Sequence, residues 1–350
     1  MGTSQKFLLD YFRRCQKVLS RIALGADAKA VFSELQTIVE SMEPGRTASV
    51  LQLNPSTKTL HSYVSNRLPK PYVDAIEGIE IGEFVGCCGA AVYLAQTVIA
   101  EDLQTHPNWR LFRDITKAAN LEACWSVPIE LSDGHIFGSF AIYSNEKSLP
   151  TDEELEILTM AAHIGSVAIE KTLLEEKLRF AATHDVLTGL LNRTQFEMLA
   201  EKMRAHLERR QLSMSLLFLD LNHFKDINDQ YGHDLGDDLL ILFAKVLANE
   251  LRESDIVCRR GGDEFLVALS GTSKQGAEMY VSRVRKCFAK EVVTLKLPRK
   301  VEFAAGIAET ASGPYLSLDR LIIKADQNMY KHKAQMKKRS AEEMDRRFLE

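Results

Sequence analysis

The chain of 350 residues has no run of the roughly 18–20 apolar residues that a membrane-spanning helix needs. Its first residues also lack the charged start, apolar core and small-residue cleavage site of a signal peptide. These two absences predict a cytoplasmic protein with no membrane partner. Paired cysteine spacing is missing too. Cys15, Cys87, Cys88, Cys124, Cys258 and Cys287 are scattered, no pair has zinc-finger spacing, and a reducing compartment disfavours disulfides, so buried free thiols are expected. A basic field is absent, because the net charge is −4, and nucleic acid is not an expected partner. No internal repeat or low-complexity segment is visible.

What remains is ordinary globular material: 45% apolar and 26% charged residues. The length is too great for one ordinary core and fits two domains. Phe7, Leu8, Tyr11, Phe12, Cys15, Val18, Leu19 and Ile22 recur at helical spacing, and a second helix is expected from Ala28 to Met42. Strand patterns follow at Ala48–Leu53 and Thr59–Val64, separated by an Asn54–Thr57 turn. Cys124–Leu131 and His135–Tyr143 flank Ser132-Asp133-Gly134 as a hairpin. The first half therefore reads as an antiparallel sheet with helices.

Thr151 followed by Glu154 has the pattern of a capping box, and it opens a helix expected to run to about Ala182. Ile164, Val167, Lys171, Leu174, Leu178 and Ala181 alternate spacings of three and four along it. Two readings stand: a helix packed on its own domain, or a parallel dimer stalk. The second half predicts a helix after Thr194, a strand Met214–Leu219, helices from Phe224 and Leu235, and a hairpin centred on Gly261-Gly262. A helix near Gly276–Ala289, strands near 292–308 and a last helix near 317–335 complete it.

Two places carry chemistry. The apolar strand Phe218-Leu219-Asp220 ends in an acid. The turn Gly261-Gly262 allows positive φ and close approach of a ligand, and Asp263 and Glu264 sit at its edge. Turn acids are commonly just solvated. If Asp220 and this pair meet, however, they form a hard oxygen site suited to magnesium on substrate phosphates. The locally basic run His332–Arg339 is either a solvated tail or a phosphate contact.

These blocks, in this order, resemble the GGDEF family of diguanylate cyclases over about residues 183–340. Asp185-Val186-Leu187-Thr188-Gly189-Leu190-Leu191-Asn192-Arg193 is similar to its opening motif. The stretches from Asp220 to Asp229 and from Gly232 to Asp237 are similar to its metal and guanine segments, Gly261 to Phe265 to its signature, and Tyr330-Lys331-His332-Lys333 to its phosphate-binding end. The resemblance implies an enzyme that joins two GTP into cyclic di-GMP and two pyrophosphates by attack of a 3′-hydroxyl on an α-phosphate. Each domain would hold one GTP, so the active site would form between two protomers of a homodimer. It implies Mg2+, with Mn2+ as a substitute, held by Asp220, the Leu221 carbonyl, Asp263 and Glu264. Asp263 or Glu264 would help deprotonate the hydroxyl. Asn228 and Asp237 would read guanine. Amides near Phe224 and Lys225, with Lys333 and Lys337, would meet the phosphates. Met336-Lys337 departs from the family's Gly-Arg, and lysine lacks the bidentate fork, for which Arg339 is a nearby substitute. Asn222 stands where many members carry Asp. Arg252 and Asp255 match an inhibitory product site, with Arg283 as its second arginine. The plainer reading of that pair is a surface ion pair. The rival class is a non-catalytic cyclic di-GMP-binding effector with GAF-driven dimerisation.

Residues about 15–170 resemble a GAF domain, from Gly86-Cys87-Cys88-Gly89 through His106-Pro107-Asn108-Trp109 and Ala123–Ile129 to Ser132–Phe140. The expected organisation is a sensory domain over 1–170, a connecting helix over 151–182 that overlaps its end, and a cyclase domain over 183–350. The expected fold class is two-domain α+β and α/β. An antiparallel GAF sheet with helices would precede a nucleotide-cyclase-like central sheet surrounded by helices. Cys87, Cys88, Cys124, His106 and His135 suggest a redox, haem or bilin sensor, or plain core and loop residues. The resemblance names no GAF ligand.

Overall fold

The structure is a computed structural model. It describes residues 3–41, 43–297, 301–310 and 316–349, with side chains between 11 and 336 within those ranges. The chain divides into two compact units, 1–176 and 177–350.

The first unit contains α1 (Thr3–Ala23), α2 (Ala28–Glu40), β1 (Arg46–Asn54), β2 (Thr59–Val64), α3 (Lys70–Ile76), β3 (Ile79–Glu80), α4 (Gly86–Leu94), β4 (Val98–Ala100), α5 (Arg113–Ala118), β5 (Ala123–Glu130) and β6 (Ile136–Ser144). Its antiparallel sheet has the order β3-β2-β1-β6-β5-β4. Alternate residues of each strand face opposite sides, which makes two cores. Val50, Trp125, Phe140 and Ile142 face α1, α2 and the first half of the next helix. Leu51, Cys124, Ala141 and Tyr143 face α3, α4 and the 107–112 turn.

That next helix, α6 (Asp152–Thr183), starts where the capping pattern places it. Thr151 Oγ1 accepts from the Glu154 amide at 3.1 Å, and Glu154 Oε2 accepts from the Thr151 amide at 2.8 Å. Among the described residues α6 alone is long and apolar enough, by length and composition, to cross a membrane. The run-length reading of the sequence did not pick it out. Its apolar first half is core, with Ile157, Leu158, Ala161, Ala162 and Ile169 buried.

The second unit contains α7 (Arg193–Arg209), β7 (Met214–Leu221), α8 (Phe224–Tyr231), α9 (His233–Asn249), β8 (Ile256–Gly261), β9 (Glu264–Ser270), α10 (Lys274–Glu291), β10 (Phe303–Glu309) and α11 (Leu318–Leu349). Its antiparallel sheet has the order β10-β7-β9-β8. Every residue of β7 is buried, as befits an inner strand with helices on both faces. Leu217, Leu219, Phe265 and Phe303 meet α9 and α10. Phe218, Leu266, Ala304 and Ala308 meet α7 and α11. One expected strand is absent: Val292–Leu295 forms a 3-10 turn continuing from α10. Val292 and Leu295 reach the core from there, while Val293 is exposed.

Candidate active site

β7 carries Asp220 to the rim of the sheet. The register pairs Asp220 with Glu264 on β9 and with Ala304 on β10. Period-2 alternation puts Leu219 and Leu221 in one core and leaves Asp220, only 7% exposed, on the α11 side. There α11 brings Lys333, whose Nζ donates to Asp220 Oδ1 at 2.6 Å. The β8–β9 turn supplies the other carboxylate. Gly262 has φ +56 and Gly261 φ +154, backbone that a side chain would strain. The turn is pinned from two directions: the Leu221 amide donates to the Asp263 carbonyl at 3.3 Å, and Arg259 Nε donates to the Gly262 carbonyl at 2.9 Å.

Burial, and then the negative charge of Asp220, push the Asp263 carboxyl above its ordinary range, while Lys333 pulls the other way. A buried acid at a strand end and a half-buried one in the facing turn, each repelling the other, are a donor set that a hard divalent cation would relieve. No group of three His, Cys, Asp or Glu side chains fit to hold a metal occurs among the described residues. A site of two carboxylates and one backbone carbonyl is compatible with that, because magnesium takes its remaining ligands from water and substrate phosphates. Glu264, opposite Asp220 in the ladder, is already engaged. Its Oε2 accepts from Arg260 Nη1 at 2.8 Å, and Arg260 lies over the Phe218 ring.

Beyond Asp220, His223 takes φ +61 and starts α8, so the Phe224 and Lys225 amides open the helix. One turn later comes Asn228, whose Oδ1 is buried with no hydrogen-bond partner among the described residues. Gly236 on α9 makes that placement possible. A Cβ there would lie 1.8 Å from Asn228 Oδ1. Asp237 follows, exposed. Asn222 Oδ1 is also buried and without a partner among the described residues, and its Nδ2 donates to Met336 Sδ at 3.6 Å. The side chains of Lys337 and Arg339 lie outside the described residues.

The opening motif sits against the turn. Asp185 accepts from the Thr188 amide and hydroxyl at 2.9 and 2.7 Å and from Arg259 Nη1 at 3.2 Å. Burial opposes its ionisation, but Thr188 and Arg259 hold its carboxyl below the usual range. Asp185, Arg259 and Gly262 thus form one chain of contacts that the sequence did not reveal. At the end of β8 away from the turn, Asp255 accepts from the Arg252 amide at 3.1 Å and from the Ser270 amide at 2.9 Å. Arg252 is exposed, and no side-chain ion pair forms between it and Asp255. Arg283 contacts Glu250.

Residues 182–339 match the model of the diguanylate cyclase GGDEF domain, and residues 26–170 match that of the GAF domain. The chain is a GAF domain followed by a GGDEF domain. The diguanylate cyclase DgcM of Escherichia coli K12 is 38% identical over 165 residues, 47% of this chain and 39% of that protein. A methyl sulfide methyltransferase-associated sensor from Methanosarcina acetivorans is 34% identical over 180 residues, 50% of this chain and 18% of that one. The solved coiled coil and GGDEF domain of DgcB from Caulobacter crescentus, in complex with c-di-GMP, is 26% identical with a TM-score of 0.42, over 51% of this chain and 95% of that one. The chain spans about two fifths or less of the length of these two curated relatives.

In the GAF domain the three singled-out thiols lie together in one apolar core, and the two imidazoles sit in turns. Cys87 Sγ donates to the Cys124 carbonyl at 3.2 Å and receives Trp109 Nε1 at 3.4 Å. Cys88 lies 3.7 Å from the Tyr143 hydroxyl. His106 caps the 107–109 turn, and exposed His135 pairs with Asp133. A small apolar pocket is lined by Leu51, Tyr72, Cys87, Cys88, Trp109 and Tyr143, among others. Burial raises Tyr72, Tyr143 and Cys88, so these three face it uncharged near neutral pH.

Proposed function

We propose that the GGDEF domain condenses two GTP into cyclic di-GMP and two pyrophosphates. The observation that carries this is the meeting of Asp220 and Asp263 at the Gly-Gly turn, with Lys333 beside them. Asp220, Asp263 and the Leu221 carbonyl would hold Mg2+ or Mn2+. That ion, when bound, neutralises phosphate charge and lowers the pKa of the attacking 3′-hydroxyl. The chain's own residues do the rest. Lys333 offers its ammonium to the triphosphate and meanwhile screens Asp220. The first amides of α8, at Phe224 and Lys225, face phosphate oxygens, with Lys337 as a further cation. Asn228 Oδ1 is an empty acceptor, and with Asp237 it matches the N1 and N2 hydrogens of guanine. Adenine, lacking that pattern, would leave both acceptors unpaired. Glu264, steadied by Arg260, is the second carboxylate beside the hydroxyl.

One domain binds one GTP, so the reaction needs a homodimer. The GAF domain regulates the encounter, and Arg252, Asp255 and Arg283 bind product and inhibit it. A GTP-consuming reaction belongs to the cytoplasm. The test is incubation of purified protein with GTP and MgCl2, with chromatography for cyclic di-GMP. Synthesis by the parent and at least about a 1000-fold loss in Asp263→Ala, with its fold intact by circular dichroism, is the expected result. A parent that makes no product after bound nucleotide is stripped contradicts the enzyme, and full turnover by Asp263→Ala contradicts the site.

A further inference from the structure

Arg283 and Arg252 differ in the state of their guanidinium groups. Arg252 is exposed, and among the described residues its guanidinium makes no ion pair. Arg283 is held. Its Nε donates to Glu250 Oε2 at 2.9 Å and its Nη2 to the Glu250 carbonyl at 3.5 Å. The guanidinium also lies 5.8 Å from the Tyr280 ring centroid. Glu250 is fixed in turn. It ends α9, its backbone amide donates to the Ala248 carbonyl, and its other carboxylate oxygen accepts from Cys287 Sγ at 3.2 Å. Arg283, then Cys287, keep the Glu250 carboxyl below its usual range, so it is ionised at neutral pH.

A guanidinium grips phosphate, or the O6 and N7 edge of guanine, through two parallel N–H bonds. In Arg283 the Nε–Nη2 edge already lies on Glu250. We infer that Glu250 is an intramolecular competitor for the product site: it occupies the edge of Arg283 that cyclic di-GMP would use, and so sets how much product must accumulate before inhibition. This rests on the assignment of Arg252, Asp255 and Arg283 to product binding. Glu250 is a tuning residue and need not touch product itself. The Arg283 side chain is 54% exposed, so the latch is weak and reversible. Its release is worth severalfold in affinity. Cys287 steadies the carboxylate that does the competing.

The test is calorimetric titration of cyclic di-GMP into the nucleotide-stripped full chain and its variants. Glu250→Gln keeps shape and removes charge, and it should tighten binding about three- to five-fold. Glu250→Ala should move binding the same way. In an Arg283→Ala background the Glu250→Gln gain should vanish, which a merely structural effect would not do. Arg252→Ala should weaken binding at least about tenfold. If Glu250→Gln binds no tighter than the parent while Arg252→Ala loses affinity, the latch is wrong and the product site stands. If Arg252→Ala binds as the parent does, the product site is wrong and the latch falls with it.

Discussion

Asn228 and Gly236 show how one missing side chain makes room for a functional one. A methyl group at Gly236 would overlap the Asn228 carbonyl oxygen. Gly236→Ala should therefore displace the amide and raise KM for GTP about tenfold or more, with a smaller change in Tm, as read from initial rates across GTP concentrations. Asp263 shows the cost of the carboxylate pair. Its pKa is raised by burial and by Asp220, so the ionised form destabilises the nucleotide-free fold above its folded pKa and ceases to as the pH falls below it. Asp263→Asn should raise the Tm of the GGDEF domain by roughly 1–3 °C at pH 7.5 without nucleotide. Calorimetry should show that gain shrinking on acidification. At this scale the sequence exposed each acid, since motif spacing names them. It could not expose Arg260 on Glu264, Lys333 on Asp220 or Glu250 on Arg283. The last two join residues 113 and 33 positions apart, and nothing local encodes them.

Among the elements, the start of α6 was the most legible feature. Thr151 and Glu154 satisfy each other's amides as the capping pattern requires. Thr151→Ala should cost the GAF domain about 1 kcal/mol, read as a lower urea midpoint for its unfolding. The β5–β6 and β8–β9 hairpins were legible for the same reason, because turn glycines punctuate alternating strands. Val292–Leu295 was not. Its composition favours strand, but it leaves α10 without a break and finds core contacts as a 3-10 turn. Extent also escaped, because α11 runs on to Leu349 through a polar stretch with no periodic marker at its end. In the GAF domain, cysteines and histidines stand out by type, yet only geometry shows that the cysteines share a core while His106 and His135 serve turns.

For the whole molecule, the proposal requires two copies. Val167, Leu174 and Leu178 on α6 are 48, 58 and 60% exposed, and they lie on the seam of spacings three and four. Lys171, within that seam, pairs along the helix with Glu175. Leu174→Lys with Leu178→Lys should shift the protein to monomer in sedimentation velocity and lower synthesis at least about tenfold, because two GTP-bearing domains would then meet only by diffusion. Underlying all of this is a cation shared by Asp220 and Asp263 on a bound nucleotide. Electron paramagnetic resonance of Mn2+, titrated with a non-reactive GTP analogue present, tests it most directly. The parent should take up one Mn2+ per chain beyond what the analogue alone binds, and Asp220→Asn and Asp263→Asn should each abolish that uptake. Equal uptake by the parent and both variants would contradict it.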